Sequence, residues 1–153
     1  MGLRHPSIAP YGVFSCADGR GVLISIQNER EWAEFCARFL EQPDLPSREG
    51  FRSNVERVAH RAAVDAHLAE AFRGLTREAC AARLRAANTA YGFVNDVAAF
   101  AGHAALRRVT LATPNGPVAV AAPAPLFSDG ERALGPVPAL GEHTAQVREE
   151  FAG

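Results

Sequence analysis

The segment from Pro123 to Leu140 constrains this chain more than any other. Pro123, Pro125, Pro136 and Pro138 each lack a backbone N–H and fix φ, so no helix or central strand can run through it. Between them stand Leu126, Phe127, Leu134, Val137 and Leu140, too apolar for a solvated linker. A segment of this kind lies extended across a surface. A second copy of the chain, or something outside it, is then needed to cover it.

Ahead of that arm the chain reads as a small α+β domain. Residues 1–10, with Pro6 and Pro10, form an extended lead-in. Tyr11 to Ala17 and Val22 to Ile26 are strand-like around Asp18-Gly19-Arg20-Gly21, a hairpin signal, and Val22, Leu23, Ile24 and Ile26 imply that both faces of the second strand are covered. Asn28 and Glu31 read as a capping box for a helix with Trp32, Phe35, Cys36, Phe39 and Leu40 on one face, ended by Pro43 and Pro46. Ser47 to Ser53 reads as polar and irregular. A second helix is expected over about 54–73, with Val58, Ala62, Ala69 and Phe72 inward and Gly74 as its stop. Thr76 caps a third, with Cys80, Leu84 and Ala87 inward; Asn95 or Asp96 caps a short fourth that ends at Gly102. Arg108 to Thr113 and Val118 to Ala122 form a second hairpin around Pro114-Asn115-Gly116-Pro117, and a short helix covers about 144–151. The expected fold is two β-hairpins forming an antiparallel sheet with three or four helices, then the proline-rich arm and a C-terminal helix.

Composition excludes several classes of function. A net charge of −1 gives no electrostatic reason for a nucleic-acid partner or an anionic membrane surface. All 16 basic residues are arginine, spread along the chain rather than clustered, which reads as genome base composition and not as a phosphate site. Cys16, Cys36 and Cys80 are odd in number and spaced like no metal motif, as in a reduced, cytoplasmic protein. No leader pattern follows Met1, and no apolar run is long enough to span a bilayer.

Five blocks carry a resemblance. His5-Pro6-Ser7-Ile8-Ala9-Pro10-Tyr11, followed by a strand, Asp18-Gly19 and a strand leading to Asn28, is similar to the entry of the small domain in family III CoA-transferases, the CaiB/BaiF group. Phe51-Arg52-Ser53-Asn54-Val55-Glu56-Arg57-Val58 resembles that family's RF-x-x-N-x-x-R stretch, and Tyr91-Gly92-Phe93-Val94-Asn95-Asp96-Val97 its P-x-G-x-V-N-D block. Ala122 to Ser128 resembles the SP-x-x-x-S segment, and Pro138-Ala139-Leu140-Gly141-Glu142-His143-Thr144 the P-x-LGEHT signature. Ala90-Tyr91 stand where the family often has Val-Pro, and only His103 to Arg107 represents its DP-x-x-x-x-R segment, which leaves the subfamily open.

The resemblance implies the C-terminal portion of a longer enzyme. Family members are more than twice this length. Their Rossmann-like large domain holds the CoA site and an Asp that attacks the acyl-CoA thioester, giving an anhydride and then an enzyme–CoA thioester. Neither that domain nor its nucleophile maps onto Asp18, Asp44, Asp65, Asp96 or Asp129, so no catalytic residue is assigned and the chain is expected to be inactive alone. The family pattern makes residues 1–10 a linker, 11–112 the small domain, and 113–153 a return segment lying on the large domain. It implies a homodimer whose partners are the large domain or a second copy, with coenzyme A or acyl-CoA as substrate of the full enzyme and no cofactor bound by this chain.

Candidate sites each have a plainer reading. Gln27 and Asn28 end a strand where the family's two domains face each other and are candidates for the substrate-cleft rim, although Asn28 is also a helix cap. Glu142 and His143 are the most tempting polar pair and are candidates for the same rim, where an imidazole could bind a substrate carboxylate, yet Thr144 could cap the last helix with Glu142 near its N-terminus. His60 and His67 are seven apart on one helical face, but i,i+4 is the useful metal spacing and no third ligand is evident, so no metal is assigned and both are expected to face solvent. The three cysteines read as structural. A non-catalytic binding or assembly module with the same small-domain fold is the alternative function. A complete small enzyme of other chemistry is disfavoured, since no nucleophile–base pair or phosphate loop is legible.

Overall fold

The computed structural model describes residues 2–130 and 133–152. Residues 131 and 132 of the expected arm, and Met1 of the lead-in, lie outside the described residues. The chain is α+β and divides into two compact units, Met1–Asn95 and Asp96–Gly153.

In the first unit, β1 (Tyr11–Ser15) and β2 (Gly21–Ser25) form the expected hairpin, with Tyr11 opposite Ser25 and Ser15 opposite Gly21. Its turn works through Gly19 at φ 73°, a left-handed conformation that glycine adopts without strain, and through Asp18 Oδ1, which accepts from the Arg20 N–H at 3.3 Å. Val22 and Ile24 are buried while Leu23 is half-buried, so one face of β2 is fully covered and the other only partly.

The expectation of one sheet made from two hairpins is corrected. β2 pairs on its other edge with β3 (Ala90–Phe93), giving the order β1-β2-β3. The second hairpin is a separate two-stranded sheet. Ala-Tyr-Gly-Phe carries too short a pattern to announce a strand, and its partner lies far back in the chain. Gly21 sits in a tight place between β1 and the residue after β3: a Cβ there would crowd Val13 Cγ1 at 3.0 Å and Val94 Cβ at 3.3 Å, so each would have to shift by a few tenths of an ångström.

The helix α1 (Glu29–Arg38) starts at the Asn28 cap, whose Oδ1 accepts from Glu31 N–H at 2.9 Å. Glu31 reaches back one residue further than a standard capping box, to the Gln27 N–H at 2.9 Å, while Asn28 Nδ2 donates to its other oxygen. We expect Asn28→Ala to lower the stability of this unit by about 1 kcal/mol, read as a fall in the urea midpoint. Asn28→Asp should retain most of it.

The single helix expected over 54–73 is two helices, α2 (Asn54–Ala59) and α3 (Arg61–Arg73), separated at His60. No glycine or proline marks that break. The inward residues of α3 are Val64, Leu68 and Phe72, and Ala62 is exposed, contrary to expectation. Alanine fills both faces of this helix, so the apolar period carries little contrast. Thr76 caps α4 (Arg77–Ala86) through the Ala79 N–H, with Cys80, Leu84 and Ala87 buried as expected.

The core is built on aromatic rings. Phe72 lies between Phe14 and Phe39, each 4.8 Å away, and Phe35 and Trp32 extend the series along α1. Phe51, in the stretch read as polar, stacks on Trp32 and accepts the indole N–H at 2.9 Å through its carbonyl.

The second unit holds α5 (Val97–Ala101), capped by Asp96 through the Ala99 N–H at 2.7 Å, and the hairpin of β4 (Arg108–Leu111) and β5 (Val118–Ala121). The described residues between Ala122 and α6 (Thr144–Phe151) form neither helix nor strand. Val137 N–H donates to Ala112 O, and Leu126 remains 73% exposed.

Candidate functional site

The Phe51 to Val58 block folds into a polar clasp. The first turn of α2 places Asn54 and Arg57, three residues apart, on one side of the helix. Arg57 is 1% exposed. Its Nε donates to Ala9 O at 2.7 Å, Nη1 to Glu29 Oε2 at 2.8 Å and to Phe51 O at 3.2 Å, and Nη2 to Glu29 Oε1 at 3.1 Å. The guanidinium also sits 4.8 Å from the Trp32 ring centroid. Asn54 Nδ2 donates to Ser7 O at 2.9 Å, while its Oδ1 accepts from the Ala9 N–H at 3.0 Å. Arg61 Nη2 donates to Ile8 O at 2.8 Å.

Three successive carbonyls of the lead-in are therefore each held by a side chain from α2 or α3. Glu29 opens α1 and completes the clasp, accepting the Asn54 N–H at 2.8 Å. The Arg57 hydrogen bonds hold its carboxyl below the usual glutamate range. In the sequence the Phe51 to Val58 block carries a family resemblance, but no role for Asn54, Arg57 or the distant Glu29 is legible there. The i,i+3 pairing was the available signal. The acceptors are backbone atoms, which leave no trace in residue type.

A groove of about 200 Å³ runs between β1 and α3, lined by Arg4, Phe14, Asp65 and Arg73 among others. Burial pushes the Asp65 carboxyl above the usual aspartate range, opposed by Arg4, whose Nη2 lies 3.6 Å from Oδ2, and by Arg61. Asp18 is engaged at the hairpin turn and with the Arg77 N–H at 3.2 Å, and Asp96 in its cap. Asp44 precedes a 3₁₀ turn without a capping bond.

The four rim candidates occupy different units. Gln27 Nε2 donates to Ser25 Oγ at 3.2 Å, and Asn28 lines a depression of about 370 Å³ with Arg30, Glu34 and Asn88. In the second unit, Glu142 Oε2 accepts the Ala139 N–H at 2.6 Å and closes the turn before α6. The reading of Thr144 as cap is corrected. His143 occupies the N-cap with no side-chain capping bond, and Thr144 is the first helical residue, its N–H donating to Gly141 O. Glu142, His143 and Arg148 line a depression of about 460 Å³.

The histidines separate. His60 stands at the α2–α3 break and is exposed. His67 is not solvent-facing as expected: its Nε2 lies 2.9 Å from Gln42 Oε1 and its ring meets the edge of Phe51. Among the described residues, no three or more His, Cys, Asp or Glu side chains are placed to hold a metal ion, and no helix is long and apolar enough to cross a membrane.

The model of "CoA-transferase family III" matches residues 1–144. This chain belongs to that family. An acyl-CoA transferase of Fusarium pseudograminearum is 32% identical over 98% of the chain and 34% of its own length. The beta subunit of a succinyl-CoA–L-malate CoA-transferase from Chloroflexus aurantiacus is 31% identical over 94% of the chain and 37% of its own. The crystal structure of a CaiB/BaiF family protein from Brucella suis superposes with a TM-score of 0.72 at 31% identity, covering 98% of this chain and 39% of that one. As a member of CoA-transferase family III, the chain is thus a part: it spans 34–39% of the length of these relatives. Two residues of the Phe51 to Val58 block, Asn54 and Arg57, fasten the lead-in at Ser7 and Ala9.

Proposed function

We propose that this chain is the C-terminal part of a CoA-transferase that moves CoA between an acyl-CoA and a carboxylic acid, and that it does not turn over alone. The observation that carries this reading is that the family match covers residues 1–144 while the relatives are between two and three times as long. In this reading the carboxylate that attacks the thioester, and the backbone donors that hold the developing negative charge, belong to a large domain outside these residues.

Residues 1–10 are then the outgoing linker, 11–112 the small domain and 113–153 the return segment. The exposed Leu126, Phe127, Leu134, Val137 and Leu140 favour a return segment that packs on the large domain. Gln27, Asn28, Glu142 and His143 are the residues we place on the rim of the acid-substrate cleft. The full enzyme works as a cytoplasmic homodimer.

The test is CoA transfer followed by chromatography of the thioesters, with a panel of acyl-CoA donors and small carboxylic acids. The isolated chain should give no transfer above the uncatalysed rate. Adding a separately produced large domain of a family member should restore it. Transfer by the chain alone would refute the proposal.

A further inference from the structure

We propose that Cys16 and Cys80 are a cross-linking pair, closed into a disulfide by a two-electron oxidant of the peroxide class, which fastens the β1–β2 hairpin to α4. Their sulfurs are 3.5 Å apart although the residues are 64 apart in sequence, and both are buried, at 4% and 0% exposure. A disulfide needs the sulfurs about 1.5 Å closer, a movement shared between two side chains. The two segments are already held together here: Ala17 N–H donates to Leu75 O at 2.8 Å, and Arg77 N–H donates to the Asp18 side chain, at Oδ2, at 3.2 Å. Cys36 sits in α1 and serves as an internal control.

Access comes through the exposed turn at residues 17–20, directly beside Cys16. Burial pushes both thiols up, Cys80 to about 12, so Cys16 is the sulfur that ionises first. Asp18 and Glu78 oppose a charge on Cys16 and Arg77 favours it; Asp18 opposes and Arg83 favours one on Cys80. The Cys16 thiolate attacks a peroxide oxygen, the O–O bond breaks, and a sulfenic acid forms as hydroxide leaves and takes a proton. The Cys80 sulfur then attacks that sulfur, losing its proton as water departs. Two thiols and one hydrogen peroxide become one disulfide and two waters, the sulfurs losing two electrons. In a reducing compartment such a bond is transient, as redox-responsive bonds there are.

The full chain is treated with hydrogen peroxide at about pH 8.5, where more thiolate is present, and digested with trypsin without reductant. The three cysteines fall on separate peptides, His5–Arg20, Glu31–Arg38 and Glu78–Arg83. The expected product is a chain two hydrogens lighter, with His5–Arg20 linked to Glu78–Arg83 and Glu31–Arg38 a free thiol. Its melting midpoint rises by about 5–10 °C and returns on adding dithiothreitol. Cys16→Ser should lose both the link and the rise. A link through Cys36, a link between chains, irreversible over-oxidation, or three surviving thiols would each overturn the proposal.

Discussion

Replacing Arg57 with alanine will lower the stability of the first unit by about 4 kcal/mol. The guanidinium is buried and engages Ala9 O, Phe51 O and both oxygens of Glu29, over the face of Trp32. Truncation strands the Ala9 carbonyl, leaves a cavity against Trp32 and frees the lead-in from its firmest tie. Two acceptors soften the loss. Phe51 O keeps the Trp32 indole N–H, and Glu29, whose side chain is 53% exposed, can turn to water. The Arg57–Glu29 ion pair therefore contributes less than a fully buried pair would, and most of the effect comes from desolvated hydrogen bonds. Arg57→Lys should recover little, because an ammonium lacks the planar fork that reaches four acceptors.

Urea unfolding with an unchanged slope checks the magnitude; a loss below about 1 kcal/mol would remove the clasp from the account of this fold. The same variant carries a pH signature. Glu29 has a folded pKa below its unfolded one, so its stabilisation is present above the ordinary carboxylate range and is lost as pH falls through the folded value. In Arg57→Ala the dependence across that acid window should flatten.

Phe72→Ala is expected to cost about 4 kcal/mol, from the lost transfer energy plus the cavity left behind. Phe72 is fully buried, with Phe14 of β1 and Phe39 at the end of α1 each 4.8 Å from its ring, so it joins sheet to helix and α1 to α3. Phe72→Leu should cost no more than about 1.5 kcal/mol, since it keeps most of the volume. If both variants unfold at the parent midpoint, Phe72 is not the centre of this core.

Several parts of the fold were legible because their chemistry is local. The Asp18-Gly19 turn and the caps at Asn28, Thr76 and Asp96 each depend on residues within four positions of one another, and in the aromatic stripe of Trp32, Phe35 and Phe39 each member lies three or four positions from the next. The break at His60 was not, because no residue there forbids a helix. The buried face of α3 was blurred by alanines on every side. β3 was invisible because four residues acquire strand character only by pairing with β2. Of the candidate site, the block containing Asn54 and Arg57 was recognised, while its work was not.

The amino-acid sequence by itself therefore determined the order of turns, caps and most helices, and the family to which the chain belongs. Only the tertiary structure decided that Arg57 would be a buried cation holding Ala9, 48 residues away, and that Cys16 would face Cys80 across 64. The reason is physical. A cap or a turn is satisfied by its neighbours, whereas a buried charge or a sulfur pair exists only once distant segments have expelled the water between them.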